Sequence, residues 1–203
     1  MDEFYQNNFP ICIIFIANIC ICNYSKCNTV PRARFQTGDI MEALSISQPE
    51  VGTAFRAAMR RLASTVTIVT ASDESRRHGM TMTAVSSLSM DPPSMIVCVN
   101  QSTFLHDILL SAKRFCVNVL RHDQAEVSAA FSGAASPEER FLMGEWMKHA
   151  AGVDYLANAQ VNIVCRKVAA MPFGTHTIFI GTAEEVILNE DAKPLLYRNA
   201  AYC

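Results

Sequence analysis

Small hydroxyl side chains recur at alternate positions within His78–Asn100 (HGMTMTAVSSLSMDPPSMIVCVN), and this spacing is the first sign of chemistry. On a regular strand, alternate side chains share a face. Thr81, Thr83, Val85, Ser87 and Ser89 then line one side, while Met80, Met82, Ala84, Ser86, Leu88 and Met90 line the other, mostly apolar side. A row of hydroxyls suits a polar ligand lying along a strand, and it equally suits an ordinary strand with one wet face. A second feature is Asn100-Gln101-Ser102-Thr103, just ahead of Leu105, Ile108, Leu109 and Ala112 at helical spacing. Ser102 or Thr103 is the natural N-cap, and the free N–H groups of such a start suit a phosphate, although most are merely capped. His176 is a third feature, alone in an apolar run where a histidine is commonly just a satisfied polar group. His78 is expected on a solvated loop, and His106, His122 and His149 on the surface.

These residues need elements to hold them. Ser47-Gln48-Pro49-Glu50 reads as a capping box that opens a helix with Val51, Ala54, Phe55, Ala58, Met59 and Leu62 on a buried face. Arg56, Arg60 and Arg61 fall mainly on the solvated side. Strands are expected over Ser64–Ala71, Met95–Val99, Arg114–Leu120, Gln160–Ala169, Thr175–Leu188 and Leu195–Tyr197, with Asp91-Pro92-Pro93 as a stop. A short helix is expected over Asp123–Phe131. A second capping box, Ser136-Pro137-Glu138-Glu139, should open a helix carrying Phe141, Leu142 and Trp146, with the tryptophan in the core. One helix followed by mostly strands lacks the regular alternation of a doubly wound sheet, so the expected class is a mainly β barrel with covering helices.

Bulk properties narrow the function. The chain has 203 residues, 50% of them hydrophobic and 18% charged, which fits one globular domain with a substantial core. A net charge of −2 without a basic run argues against nucleic acid or an anionic membrane as partner. There is no GxGxxG and no P-loop. The eight cysteines form no CxxC pair, and none has histidines at zinc-finger spacing, so neither a metal site nor a disulfide scaffold is expected. Cys98, Cys116 and Cys165 sit singly in apolar runs, as expected in a reducing cytoplasm. Phe9–Tyr24 is apolar but shorter than the roughly 20 residues of a spanning helix. The composition changes sharply after it. Residues 1–40 are expected to be an extension dispensable for activity, and 41–203 the functional domain.

From Phe55 onward the chain resembles the short flavin reductases with an FMN-binding split barrel, the reductase components of two-component monooxygenases. The resemblance rests on Gly79-Met80-Thr81 with Ala84, on Ser87 to Pro93, and on Val97-Cys98-Val99-Asn100 with Ser102. It continues through Phe115 to Leu120, Gln124 with Phe131, Arg140-Phe141 with Trp146, Gly174-Thr175-His176-Thr177 with Gly181, and Pro194 to Tyr197. It implies a homodimer that binds FMN or FAD and reduces it with NADH or NADPH, supplying reduced flavin to a partner monooxygenase such as an aromatic hydroxylase. Thr81, Met82, Thr83 and Ala84 would lie along the isoalloxazine ring. Ser87 and Ser89 would hold ribityl or phosphate oxygens, and Asn100, Ser102 and Thr103 the phosphate end. His176 would sit by the nicotinamide as the one candidate for tuning the reaction, and Tyr202 would help to form the nucleotide pocket. The alternatives within this resemblance are a corrin reductase of cobalamin assembly and a flavin-binding module without catalysis.

Overall fold

β-Branched runs do form the strands, and most of them join one antiparallel sheet in the computed structural model, which describes residues 48–189 and 193–203. Helix α1 (Gln48–Met59) is followed by β1 (Ser64–Thr65), β2 (Thr67–Ser72), β3 (Arg77–Met82), β4 (Val85–Met90) and β5 (Pro93–Asn100). Helix α2 (Phe104–Ser111), β6 (Arg114–Val119) and α3 (Ala125–Ala129) come next. A π-helical turn (Ala130–Ala134) and a 3-10 turn (Arg140–Leu142) lead to β7 (Trp146–Lys148) and β8 (Asp154–Leu156). The long hairpin β9 (Val161–Phe173) and β10 (His176–Leu188) and the small strands β11 (Leu196–Arg198) and β12 (Ala201–Tyr202) complete the described chain.

The main sheet runs β3-β2-β6-β9-β10-β5-β4. Its two edge strands, β3 and β4, are consecutive in sequence and separated only by Thr83 and Ala84. The sheet therefore curls until its first and last strands flank one corner, where the Cys98 N–H donates to the Ala84 carbonyl at 2.9 Å. This is a barrel left open at one seam, the split form expected. Inside it Val69, Val97, Val99, Phe115, Val117 and Phe179 pack beneath Leu105, Ile108 and Leu109 of α2. Lys167 closes the far end of α2 by donating to the carbonyls of Leu109 and Leu110, which the helix leaves unpaired. A second core joins Val66, Ile68, Leu120, Phe131, Phe141 and Leu156, with Trp146 against it. Two glycines matter for this packing. A Cβ on Gly79 would meet the Phe131 ring at 2.6 Å, and one on Gly181 the Phe115 ring at 2.5 Å.

Several expectations need correction. The apolar side of α1 is not buried within the described chain: Val51, Phe55, Met59 and Leu62 are all exposed, because no described element packs over them. Ser47 lies outside the described residues. The box at Ser136 closes as expected, with Glu139 N donating to Ser136 Oγ and Ser136 N to the Glu139 carboxylate. Only the short 3-10 turn follows it, however, and Trp146 lies on β7, pressed between the rings of Phe131 and Phe141. The segment 1–40 also lies outside the described residues. Among the described residues no helix is long and apolar enough to cross a membrane.

Candidate functional site

The hydroxyl row does not survive as one face. The backbone bends at Thr83–Ala84, and a register shift between Ser87 and Ser89 interrupts β4 a second time. Each break resets the alternation, so Ala84, Leu88 and Met90, expected to face the core, are exposed. The four hydroxyls divide into two pairs. Thr81 donates to the Ser128 carbonyl at 2.7 Å, and Ser89 is held in the β4–β5 turn by the Asp91 backbone. Thr83 Oγ1 and Ser87 Oγ are engaged by no described residue, and the Thr83 and Ala84 amides likewise have no described partner. Met82 is buried at 7% exposure beneath this corner, so what the corner offers to a ligand is an exposed edge of free N–H and O–H groups over an apolar floor.

The helix start lies at the end of β5. Asn100 Oδ1 accepts from the amide and the hydroxyl of Ser102, each at 2.9 Å. Thr103 is the N-cap; its hydroxyl donates to the Asn100 carbonyl and accepts from the His106 amide. Thr103 is thereby committed to the fold; the amides of Phe104 and Leu105 have no described partner, and of these two residues Phe104 is exposed and Leu105 buried.

His176 is directly opposite Asn100 in the β5–β10 register, so the histidine and the helix start are cross-strand neighbours. Its ring is exposed, with Nδ1 2.9 Å from Thr175 Oγ1. Gln101 clamps the same corner, its amide donating to the Thr175 carbonyl and its side chain to the His176 carbonyl. Tyr202, on β12, reaches the other flank: its hydroxyl is 2.8 Å from Ser128 Oγ, and Ser128 is the residue whose carbonyl holds Thr81.

Three further residues carry no signal in the sequence. His106 is buried rather than surface-exposed, and its Nε2 lies 2.9 Å from Thr177 Oγ1, so it ties α2 to the strand carrying His176. Its Nδ1 reaches only Asp107 Oδ1, at 3.6 Å. His78 is on β3, 7% exposed and against the Phe104 ring, not on a solvated loop. Arg140 donates to its Nε2 at 3.2 Å and to the Gly79 carbonyl at 2.9 Å. A guanidinium can only donate, so His78 is neutral with its proton on Nδ1. Burial and the Arg140 charge together depress its pKa to about 4. No periodicity marks these residues, since each owes its burial to a distant partner.

Residues 59–203 match the family described as flavin reductase like domain. The chain belongs to the flavin reductase-like family. It is 56% identical over 155 residues to the reductase component of an FADH(2)-dependent resorcinol hydroxylase from Rhizobium sp. (strain MTP-10005), covering 75% of this chain and 87% of that one. It is 35% identical to an FMN reductase (NADH) of Methylorubrum extorquens, covering 79% of this chain and 80% of that protein. Among solved structures, the styrene monooxygenase flavin reductase of Pseudomonas putida S12 superposes with a TM-score of 0.66 at 29% identity, over 73% of this chain and 95% of that one. The free groups suit a flavin. The amides of Thr83 and Ala84 are donors of the kind a ring carbonyl or nitrogen accepts from, and the Ser87 hydroxyl and the unpartnered first amide of α2 are donors of the kind a ribityl or phosphate oxygen accepts from.

Proposed function

We propose that the protein reduces FMN or FAD with NADH or NADPH and passes the reduced flavin to a separate monooxygenase component that hydroxylates an aromatic ring. The observation that carries this reading is the corner at Thr83–Ala84, where free backbone donors adjoin the Asn100–His176 pair. The 56% identity to the reductase component of a resorcinol hydroxylase supports an aromatic hydroxylase as partner.

A bound flavin supplies the electron acceptor, taking hydride from the nicotinamide. The chain's own residues bind and orient. Thr81 to Ala84 offer backbone along the ring, with the Thr83 and Ala84 amides as donors and Met82 as the floor. Ser87 serves the ribityl chain. The Asn100 side-chain NH2 and the first free amide of α2 take the phosphate, with Ser102 holding Asn100 in place and Thr103 capping the helix. His176 orients the nicotinamide side, and Tyr202 closes the nucleotide side through Ser128. Thr81 and Ser89 act through the fold, since their hydroxyls are already bonded to protein. Hydride transfer requires no acid or base from the protein, so proximity supplies the acceleration.

The working form is a homodimer. Leu88 and Met90 on β4, Met171 and Phe173 near the tip of the β9–β10 hairpin, and Phe55 on α1 are exposed apolar groups that a second copy would cover. Four free thiols, Cys98, Cys116, Cys165 and Cys203, suit a reducing cytoplasm. Residues 41–203 carry the activity alone, with 1–40 dispensable. Steady-state NADH and NADPH oxidation with FMN, FAD or no flavin tests the proposal. Flavin-dependent turnover is expected; flavin binding without turnover contradicts it and leaves a passive flavin-binding module.

A further inference from the structure

Of the ten arginines in the described chain, five are matched to carboxylates. Arg76 pairs with Asp73, Arg77 with Asp154, Arg121 with Asp123, and Arg114 and Arg166 both with Glu184. Arg140 is buried among carbonyls and His78. Arg56, Arg60, Arg61 and Arg198 are not so matched among the described residues, and three of these four, Arg60, Arg61 and Arg198, gather at one place. They line one cavity of about 340 Å³ with Asn199 and Cys203, and among the described residues no carboxylate lies within ion-pair distance of any of them.

The fold brings them together from two separate elements. Arg60 and Arg61 follow the last turn of α1, where cations also favour the negative end of the helix dipole. That preference does not explain Arg198, which arrives on β11. A two-residue turn at Asn199 and Ala200, with φ of 51° and 63°, folds β12 back on β11. The Asn199 amide then donates to the Arg60 carbonyl at 2.9 Å and fixes the turn against the helix end. Like-charged guanidinium groups gathered around one cavity repel, and an anion bound among them relieves that repulsion. Their planar forks match phosphate oxygens.

We infer that the cavity lined by Arg60, Arg61 and Arg198 binds the phosphate groups of the pyridine dinucleotide that donates the hydride. The choice of ligand rests on the flavin-reductase reading. The same small hairpin links the cavity to the candidate site. Arg198 is opposite Ala201, while the rings of the next pair in register, Tyr197 and Tyr202, meet edge to face at 5.7 Å, and Tyr202 reaches Ser128 and, through it, the strand of Thr81. A dinucleotide carries phosphate groups apart from its reacting ring, as a ligand engaging both Tyr202 and these arginines requires. The helix start at Asn100–Thr103 shares no element with this cavity, so the two anion sites remain separate.

Titration calorimetry with inorganic pyrophosphate at fixed ionic strength, on the full chain, tests the cavity directly. Saturable binding is expected, weakened about tenfold or more in the double variant Arg61→Gln/Arg198→Gln. The Arg61→Lys/Arg198→Lys variant keeps the charge and is expected to fall between the two, which separates binding from folding should the first variant be unstable. In steady state the Gln variant should raise the KM for NADH about tenfold and leave flavin affinity unchanged. Absent pyrophosphate binding, or equal binding by wild type and both variants, overturns the site. Pyrophosphate binding that is lost in the variants with an unchanged KM for NADH overturns its assignment to the hydride donor. Should the wild type show no flavin reduction at all, the reductase reading fails, and the pyrophosphate titration still decides the cavity.

Discussion

His176 and Asn100 are paired residues of β10 and β5, which brings the exposed imidazole alongside the start of α2, capped by Thr103. Two ligands held at this corner would be in contact. Replacing His176 with alanine is expected to raise the KM for NADH about tenfold while flavin affinity changes less than about threefold, the loss of one charged or well-oriented hydrogen bond. Equal effects on both substrates would argue against a nucleotide role for the histidine.

The division of the hydroxyl row gives a sharper test. Ser87→Ala and Thr83→Ala should each weaken flavin binding by about 3- to 10-fold and leave thermal stability unchanged, because neither hydroxyl bonds to the described protein. Thr81→Ala and Ser89→Ala should do the reverse, costing about 1 kcal/mol of stability each through the lost bonds to Ser128 and Asp91. Fluorescence titration of flavin alongside thermal melts separates the two classes. Identical behaviour of all four would restore the single hydroxyl face expected from the sequence.

That face is legible in residue type but not in geometry. The two-residue alternation of Thr81 to Ser89 depends on an unbroken strand, and the bend at Thr83–Ala84 and the irregularity around Leu88 leave no mark on the hydroxyl pattern. Strand positions such as Arg114–Val119 and His176–Leu188 are legible to within a residue or so, since β-branched runs and their flanking turns carry a local signal. The burial of His78 and His106 is invisible in the sequence, because their partners, Arg140 and Thr177, lie 62 and 71 residues away. No described residue supplies the reason the exposed face of α1 is apolar, and periodicity registers only that the face is apolar.

His78 also makes stability depend on pH. Its folded pKa of about 4 lies below the ordinary 6.5, so the folded state resists a proton that the unfolded chain accepts. The stabilisation is full above about pH 6.5 and is lost progressively as pH falls from there through about 4. In His78→Gln this component of the acid sensitivity should vanish, as read by denaturant melts across that range. An unchanged pH slope in the variant would contradict a buried neutral histidine.

Gly79 tests the packing beneath the site. The Phe131 ring occupies the space a side chain would need, so Gly79→Val is expected to cost about 2–3 kcal/mol and to lower the thermal midpoint. A variant as stable as the wild type would mean that Phe131 moves freely, and the second core would then not be the rigid support of β3.

The central claim is that this corner brings a nicotinamide and a flavin together for hydride transfer. Its most direct test is anaerobic mixing of the protein with NADH and a molar excess of FMN or FAD, followed by the loss of oxidised-flavin absorbance. The account predicts many turnovers per protein chain, at a rate far above NADH and flavin alone and sharply reduced in His176→Ala. Bound flavin whose absorbance fades no faster than in the protein-free mixture would contradict it.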